Sequence, residues 1–390
     1  MKARKLLLTI ILLLYISLFA LTINIPEDYS TIQEGIDAAN EGDIILVASG
    51  TYVENINFGG KNITVTSTNG AEETIIDGTN ETEYASVVKF VNGETSAAVL
   101  DGFTITNGLN QYGSGIYCEA YSSPTLSNLI ICNNEAYYGE GGGIYCNYYS
   151  SPTLENIIIK DNIAAVGGAG LYAEYYSNPI LNNILIVNNS VGGMKKSANR
   201  YLYGGGIYCM SNSSLTLENV TFYGNHSFYG GAIYCGYGSD AELKNCILWN
   251  DDPDEIGTPT LVNATYSDIQ GGFDGSGNIN ADPLFVDAEN GDFSLEESSP
   301  CIGTGENGAD MGFSYSTAEI IYGDVNGDGN VSSYDAALTL QYSAGLISDW
   351  TEEQITAGDV NGDENISSYD AALILQYSAG LIDEFPVEGK

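Results

Sequence analysis

The sequence predicts a mainly β chain, in which a right-handed parallel β-helix with an N-terminal capping helix precedes a small helical domain. Five copies of one motif, such as GGGIYCNYYSSPTLENIIIKDN, lie between residues 113 and 251. Apolar residues alternate within short β-branched runs in each copy, which is typical of strands rather than helices. A second motif occurs twice, 35 residues apart, between residues 322 and 382. The first repeat predicts a solenoid, and the second predicts a separate domain.

Residues 1–20 have the pattern of a signal peptide. Three basic residues precede an apolar run from Leu6 to Leu18, and Ala20 is the expected cleavage residue. This run is shorter than a membrane-spanning helix requires. We therefore expect export to the extracellular space or the cell surface, with no membrane span after removal of the signal.

The charge balance excludes some classes of partner. The chain has 51 acidic and 11 basic residues, a net charge of −40. Such a charge argues against binding to nucleic acid or to anionic membrane surfaces. Because 44% of the residues are apolar and 29 are tyrosines, the acidity belongs to a folded surface rather than to a disordered tail.

Residues 26–43 predict a helix at about residues 30 to 40. Ser30 has the position of an N-cap, with Gln33 three residues later as in a capping box. Ile32, Ile36 and Ala39 lie on one face. The first coil of a solenoid exposes an apolar end that must be covered, and we expect this helix to cover it.

The five copies share fixed columns of residues. Their tyrosines are 28, 27, 36 and 26 residues apart: Tyr117, Tyr145, Tyr172, Tyr208 and Tyr234. A leucine column follows at the same offsets: Leu126, Leu154, Leu181, Leu217 and Leu243. One asparagine column consists of Asn128, Asn156, Asn183, Asn219 and Asn245, and a second consists of Asn134, Asn162, Asn189, Asn225 and Asp251. Each copy is predicted to form one coil of about three short strands, stacked at roughly 4.8 Å on the next.

These columns resemble the right-handed parallel β-helix family, the pectate-lyase-like superfamily. The resemblance covers about residues 24 to 316, and we assign residues 21–316 to this domain. It implies the fold but not the activity, because the scaffold hosts lyases, hydrolases, tailspikes and surface proteins. Residues 253–316, where the columns fade, are expected to cap the last coil.

Two tyrosine stripes are candidates for contact with polysaccharide. The first is the tyrosine column given above, which alternation places outside; the second contains Tyr121, Tyr149 and Tyr176. Tyr145, Tyr149, Tyr172 and Tyr176 are the expected substrate-binding residues. Exposed aromatic rows suit the apolar faces of sugars, but stacked tyrosines also stabilise neighbouring strands without any ligand. Both interpretations remain open.

The third copy contains an insertion between Gly192 and Tyr203. It holds Lys195, Lys196 and Arg200, which are either a solvated loop or a cationic patch that meets an acidic sugar. Cys118, Cys146, Cys209 and Cys235 share an inward column, and we expect buried thiols rather than disulfides because stacked strands hold their Cβ atoms too far apart. His226 is expected to be structural.

The tail, residues 322–390, is a separate domain after a linker at residues 317–321. Each of its two copies, GDVNGDGNVSSYDAALTLQYSAGLI and GDVNGDENISSYDAALILQYSAGLI, opens with a D-x-N-x-D loop that closes on Asp at position 12. Carboxylates at positions 1, 5 and 12, a carboxamide at 3 and a carbonyl at 7 supply the oxygen ligands that calcium requires. A helix follows each loop, so each copy is half of an EF-hand.

The duplicated half EF-hand resembles a type I dockerin over this whole segment. The resemblance implies one calcium ion at Asp324, Asn326, Asp328, Asn330 and Asp335. It implies a second ion at Asp359, Asn361, Asp363, Asn365 and Asp370. It also implies a cohesin partner, contacted through Ser333, Tyr334, Ser368 and Tyr369. Glu364 replaces the turn glycine of the second loop, which is expected to weaken that site.

The sequence leaves the activity of the β-helix open. One hypothesis is a polysaccharide lyase or glycoside hydrolase, for which Lys160, Asp161 and Arg200 are the best catalytic candidates. A lyase needs cations to stabilise the uronate, and a hydrolase needs two facing carboxylates; neither motif is evident. The other hypothesis is a non-catalytic module that binds glycan or acts at the cell surface.

Overall fold

The computed structural model describes residues 20–79, 84–192, 202–257, 262–315, 321–326, 330–347, 350, 352–363, 365–382 and 384–387. The chain divides into two compact units, Met1–Ser314 and Tyr315–Lys390. Several predicted features lie outside the described residues: the signal segment up to residue 19, Lys195, Lys196, Arg200, Asp328 and Glu364.

Three parallel sheets build the first unit. The long sheet has 16 strands: Thr22–Ile25, Ile44–Val47, Gly50–Val53, Thr64–Ser67, Thr74–Asp77, Val99–Asp101, Thr104–Thr106, Thr125–Ser127, Ile130–Cys132, Thr153–Lys160, Ile180–Val187, Ser214–Tyr223, Asp240–Lys244, Ile247–Trp249, Val262–Thr265 and Asp268–Ile269. The tyrosine sheet has eight: Ile56–Asn57, Val88–Phe90, Ile116–Cys118, Ile144–Cys146, Leu171–Ala173, Ile207–Cys209, Ile233–Cys235 and Ile256–Gly257. The short sheet has four: Leu109–Asn110, Glu135–Ala136, Ile163–Ala164 and Ser190–Val191.

The strands stack in the predicted register. Tyr117 pairs with Tyr145, Tyr145 with Tyr172, and the column continues through Tyr208 to Tyr234. The leucine column pairs in the same way and is buried in the central core. The repeat columns are therefore lines of stacked residues, and the parallel β-helix is confirmed.

The first three copies have four strand segments each, one more than the sequence suggested. In the first copy these are Ile116–Cys118, Thr125–Ser127, Ile130–Cys132 and Glu135–Ala136. The two middle segments meet at the first asparagine column, whose φ angles lie between 51° and 56°. Asparagine tolerates this left-handed conformation. The bend turns one strand into two, and in later coils the segments join into single bent strands such as Ile180–Val187.

The second asparagine column is a buried ladder. Its carboxamides are fully buried, and the Nδ2 atoms of Asn134, Asn162 and Asn189 each donate to the next Oδ1 at 3.0 Å. Asn225 ends the series by donating to Asp251 Oδ1 at 2.7 Å. Each carboxamide also donates to a backbone carbonyl. The ladder satisfies the polar groups at a corner of every coil.

A helix covers the start of the solenoid, as predicted, with its boundary shifted. It spans Ile32–Ala38, and its N-cap is Thr31, whose side chain accepts from the N–H of Glu34. The expected N-cap, Ser30, lies one residue earlier and donates to the Glu34 carboxylate. Ile32 and Ile36 are buried in the central core.

Only the first part of the closing segment packs at the last coil as predicted: Phe273 lies against the central core after the last paired strand, Asp268–Ile269. Residues 285–314, here called the strap, run over the outer face of the long sheet; they include an antiparallel pair, Phe285–Asp287 with Asp292–Leu295, and 3₁₀ turns at Ala288–Asn290 and Glu306–Gly308. Phe293 and Phe313 pack on Leu185 and Val187. Ser314 exchanges two hydrogen bonds of 2.9 Å with Asn183. Apolar outward residues in the middle coils, Leu185 and Val187, supply the surface on which the strap packs.

The four column cysteines are buried thiols, as expected, and so are Cys132, Cys246 and Cys301. The four in the tyrosine sheet point into the central core, and Cys246 lies in the same core next to the long sheet. Burial raises the pKa of the Cys246 thiol to about 12. These cysteines act as small apolar side chains.

The second unit contains helices Ser333–Ser343, Glu352–Gly358 and Ser368–Ser378. Val360, Leu373, Ile374 and Phe385 form its core with Ala336. The first and third helices pack against each other and begin alike, with capping boxes of Ser332 with Asp335 and of Ser367 with Asp370. Among the described residues, no helix has the length and apolarity needed to cross a membrane.

Candidate functional sites

The tyrosine column of the tyrosine sheet is an inner layer, not an exposed stripe. Tyr145, Tyr172 and Tyr208 are only 4%, 3% and 4% exposed. Neighbouring rings cover them: Tyr145 stacks on Tyr117 and Tyr172 at 5.4 and 5.2 Å. The prediction that Tyr145 and Tyr172 offer their faces to a sugar is therefore wrong. The alternation of inward and outward residues correctly placed these tyrosines on the outer side of the strand. It could not show that neighbouring rings cover this side.

A half-buried carboxyl group lies among these tyrosines. Glu174 follows the strand Leu171–Ala173 and accepts hydrogen bonds from the hydroxyls of Tyr145 at 2.5 Å and Tyr172 at 3.3 Å. Burial raises the pKa of Glu174, although both hydroxyl bonds oppose the shift. A carboxyl group with a raised pKa keeps its proton to a higher pH than a free glutamate does, which is one requirement of a general acid.

The second tyrosine stripe is exposed, as predicted. Tyr121, Tyr149 and Tyr176 are 63%, 45% and 46% exposed. Their rings stack with centroids 5.3 and 5.1 Å apart and interplanar angles of 7°. Tyr148 and Tyr175 form a parallel row beside them, 5.8 Å apart. These residues, here called the tyrosine ladder, occupy the turn between the tyrosine sheet and the long sheet.

The backbone of the tyrosine ladder does not favour tyrosine. Tyr148, Tyr149, Tyr175 and Tyr176 have φ angles of 54°, 60°, 51° and 62°. The left-handed region costs about 1–2 kcal/mol per residue for side chains other than glycine, and asparagine adopts it most readily. The equivalent turn in the fourth copy has Ser211 and Asn212, so the fold accepts smaller residues there. Tyrosines occupy these positions against the backbone preference, which indicates a use for their side chains.

One interruption of the tyrosine ladder was not predicted from the sequence. Ser211 and Asn212 lie between the levels of Tyr175 and Tyr237, and a cavity of about 440 Å³ opens there. Six residues line it: Tyr175, Tyr176, Met210, Ser211, Asn212 and Tyr237. Alignment of the five copies contains the signal, because only the fourth lacks tyrosine in both columns.

The proposed catalytic pair has a different setting. Lys160 ends the strand Thr153–Lys160, next to Val187, which the strap covers. Asp161 is exposed and has a φ of 56°, like Asn133, Asn188 and Asn250 in the same turn of other coils. Asp161 therefore has a structural explanation as a turn residue. Because Arg200, Lys195 and Lys196 lie outside the described residues, the lyase hypothesis stays a prediction.

His226 lies at the edge of the short sheet, where its backbone bridges Ser190 on one side and Asp252 on the other. Its Nδ1 lies 2.7 Å from Asp252 Oδ2, and both side chains are exposed. The pair links two neighbouring coils, which agrees with the structural role expected for this histidine.

The loops of the helical unit offer oxygen ligands. Asp335 and Asp370 are fully buried, and each accepts from the N–H of Asn326 or Asn361 through Oδ1. Asp359 Oδ1 accepts from the N–H groups of Gly362 and Asp363. Within the described part of the chain, no three Asp, Glu, His or Cys side chains converge on a metal position. In this geometry the loop carboxylates bind backbone amides.

The donor set nonetheless fits calcium. Residues 322–390 contain 13 acidic side chains and one basic side chain, Lys390. Three of the carboxylates that the structure describes, those of Asp324, Asp335 and Asp370, are buried, and an isolated buried carboxylate is strongly unfavourable. Oxygen ligands alone, from carboxylates, carboxamides and carbonyls, match the preference of calcium.

The helix starts present the predicted partner-binding residues to solvent. Ser333, Tyr334, Ser368 and Tyr369 are exposed, both tyrosines by 60%. Leu340 and Leu375 are each 50% exposed, and Leu346 and Leu381 are 75% and 73% exposed. The two copies therefore display the same side chains to the same extent.

Comparisons with known proteins agree with this division. A model of the right-handed beta helix region matches residues 62–248, and a model of the dockerin type I domain matches residues 322–377. No curated protein matches the chain. Two solved structures from Acetivibrio cellulolyticus also match; both are complexes of the third ScaC cohesin with a ScaB dockerin variant. In both, the sequence identity is 45%, the match covers 18% of this chain and 97% of that chain, and the TM-score is 0.18.

Two pectin methylesterase structures also match. One is a variant in complex with a hexasaccharide, with 12% identity, 66% of this chain and 80% of that chain covered, and a TM-score of 0.35. The other is the carrot enzyme, with 13% identity, 68% and 85% coverage, and a TM-score of 0.33.

Proposed function

Because the tail of this chain belongs to the type I dockerin family and follows a right-handed β-helix region, we propose that the chain is an exported, scaffold-borne module for polysaccharide breakdown. The dockerin attaches it to a cohesin-type partner, and the β-helix contacts glycan. The observation that carries this proposal is the duplicated loop and helix, whose exposed residues are equivalent in both copies.

The proposed docking surface lies on the first and third helices of the tail. Tyr334 and Tyr369 project from the first turns of these helices, beside exposed serines. Aromatic side chains that are exposed before binding are typical anchors of protein interfaces. Because the two copies are almost identical, either one can occupy the same position on the partner.

Calcium is the proposed cofactor of the dockerin. Asp324, Asn326, Asp328, Asn330 and Asp335 would hold one ion, and Asp359, Asn361, Asp363, Asn365 and Asp370 the other. When bound, calcium would neutralise the loop carboxylates and hold their oxygens at fixed positions. The helices then start from ordered loops, because Asp335 and Asp370 each join a loop to a capping box.

Titration calorimetry with the third ScaC cohesin tests the proposed docking. We expect binding in calcium and none after chelation with EGTA. Tyr334→Asp or Tyr369→Asp alone should weaken binding less than about tenfold, because the other copy remains, whereas the double variant should lose about a hundredfold or more. Tyr237→Asp, on the other unit, is the matched control. A double variant that binds like the parent chain would refute this docking surface.

The tyrosine ladder supports the glycan part of the proposal. Its rings are exposed, stacked and placed in turns that do not favour tyrosine. Because these rings stack on one another, they present apolar edges and hydroxyl groups to a sugar, and a ring face where a stack ends. The net charge of −40 opposes an acidic polysaccharide, so a neutral one fits better than the acidic glycan first considered.

Glycoside hydrolysis is a second candidate function, favoured by Glu174. Burial raises its pKa, which favours a general acid, although the hydrogen bonds that it accepts from Tyr145 and Tyr172 oppose this shift. Release of reducing ends from neutral polysaccharides tests this candidate. Activity that is lost in Glu174→Gln and kept in Glu155→Gln would support it; no release by the parent chain would leave a binding module.

A further inference from the structure

The fourth coil lacks one rung of the tyrosine ladder. Backbone pairing is continuous there: the N–H of Tyr176 donates to Ser211, and the N–H of Asn212 donates to Tyr237, at 3.3 and 3.2 Å. Only the rings are missing, because Ser211 and Asn212 replace the tyrosine pair of the third coil. The coils above and below keep aromatic side chains, Tyr175 with Tyr176 on one side and Tyr237 on the other.

The height of this gap matches one additional ring. Neighbouring coils are roughly 4.8 Å apart, so Tyr175 and Tyr237, two coils apart, are separated by roughly 9.6 Å. A ring between two aromatic faces needs about 3.5–4.0 Å on each side, or about 7–8 Å. The cavity of about 440 Å³ at this place is therefore tall enough for one ring but not for two.

The lining combines apolar faces with uncharged hydrogen-bonding groups. The tyrosines and Met210 supply apolar contact, while the Ser211 hydroxyl and the Asn212 carboxamide can donate and accept. Asn212 is held close to Gly238, since a Cβ at that glycine would lie 2.7 Å from Asn212 Oδ1. All six lining residues are uncharged, and the chain as a whole is strongly acidic.

We propose that the gap between Tyr175 and Tyr237 is a subsite that takes one uncharged pyranose ring of a polysaccharide. The ring replaces the missing rung, its two faces lie against the tyrosines, and its hydroxyls meet Ser211 and Asn212. This inference rests on the glycan contact of the proposed function and adds its position and sugar class. A uronate is disfavoured because no positive charge lines the subsite to offset the acidic surface.

Filling the gap tests the subsite without removing any core residue. Ser211→Tyr completes the tyrosine ladder in a turn whose backbone already carries tyrosine in neighbouring coils, so the variant should fold and occupy the space of the sugar ring. Tyr237→Ala removes one wall, and this side chain is 77% exposed. Ala120→Tyr is the matched control, because it adds a tyrosine in the same column three coils away.

Affinity electrophoresis of the full chain in calcium, through gels containing β-glucan, xylan or polygalacturonate, measures the effect. We expect retardation by a neutral gel and not by polygalacturonate. Ser211→Tyr and Tyr237→Ala should weaken it about tenfold or more, and Ala120→Tyr should not. Ser211→Tyr that binds neutral glycan like the parent chain would overturn the subsite alone, and stronger retardation by polygalacturonate would overturn the sugar class. No retardation by any gel would overturn the glycan contact itself.

Discussion

Replacement of Asp251 by asparagine should stabilise the β-helix at neutral pH. Asp251 ends the buried asparagine ladder, and its Oδ1 accepts from the backbone N–H and Nδ2 of Asn225 at 2.6 and 2.7 Å. Its Oδ2 and the Oε2 of Glu255 are buried and have no hydrogen-bond partner among the described residues. The ladder therefore ends in two adjacent buried carboxyl groups.

The pH dependence follows from these two groups. Burial raises the pKa of Asp251 well above its ordinary range, with a further contribution from Glu255, and burial also raises the pKa of Glu255. The folded state thus binds the proton more tightly than the unfolded chain. The stability that this bound proton contributes is fully present below the pKa of about 3.9 in the unfolded chain. That stability is lost as the pH rises through the raised pKa of the folded state. The carboxamide introduced by Asp251→Asn has no such proton to lose.

The expected gain in the free energy of unfolding can be estimated from the rest of the asparagine ladder. Each carboxamide above donates Nδ2 to a backbone carbonyl, for example Asn162 to Ile131 at 2.9 Å. Asp251→Asn keeps the acceptor for Asn225 and adds a donor where an oxygen now lacks a partner. A buried polar group without a partner costs about 1–3 kcal/mol, so the variant should gain about 1–3 kcal/mol at pH 8 and almost nothing near pH 4.

Urea unfolding between pH 4 and pH 8 measures this gain, with the full chain kept in calcium. Asn225→Asp is the matched control: it places a second carboxylate in the ladder and should lose stability as the pH rises. If Asp251→Asn is less stable than the parent chain at pH 8, the carboxyl pair is compensated in another way, for example by a bound cation, and the argument fails.

Three further predictions concern the β-helix. Asn162→Ala should cost about 2–4 kcal/mol in urea unfolding, since it breaks the ladder on both sides, whereas Asn156→Ala at the exposed bend should cost about 1 kcal/mol. Phe313→Ala should cost about 3 kcal/mol and increase dye binding, because it loosens the strap over Leu185 and Val187; equal stability would mean that the strap contributes little. Ellman's reagent should count seven thiols in unfolded, unreduced protein and fewer in the folded chain; two missing thiols after unfolding would indicate a disulfide.

The repeated columns made much of the fold predictable. A leucine or asparagine that recurs at one offset has the same environment in every coil, so five copies report one structural position. The helix at the start was predictable for a similar reason, since its signals are local. The N-cap moved from Ser30 to Thr31 because both hydroxyls can reach Glu34: Ser30 binds its carboxylate, and Thr31 accepts from its backbone N–H.

The functional surface was less predictable, because exposure depends on neighbours that a strand pattern does not contain. Tyr145 and Tyr149 are four residues apart, and both were expected outside. Tyr145 is covered by the rings of adjacent coils, whereas Tyr149 lies at a turn where little can cover it. The gap at Ser211 could be found in the sequence only by comparison of the five copies, because it is a departure of the fourth copy from the repeat.

The strap was only partly predictable, because the strand that it covers has a recognisable apolar pattern but the covering residues lie far away in the sequence. The run Ile184–Val187 is apolar at inward and outward positions alike, a pattern typical of strands that are buried on both faces. The sequence thus indicates that a second layer covers this strand. The covering residue, Phe313, lies in a segment without repeats, and its anchor Ser314 is 131 residues from Asn183. Nothing in the repeat specifies that partner, so the strap could be placed only by the three-dimensional packing of its phenylalanines.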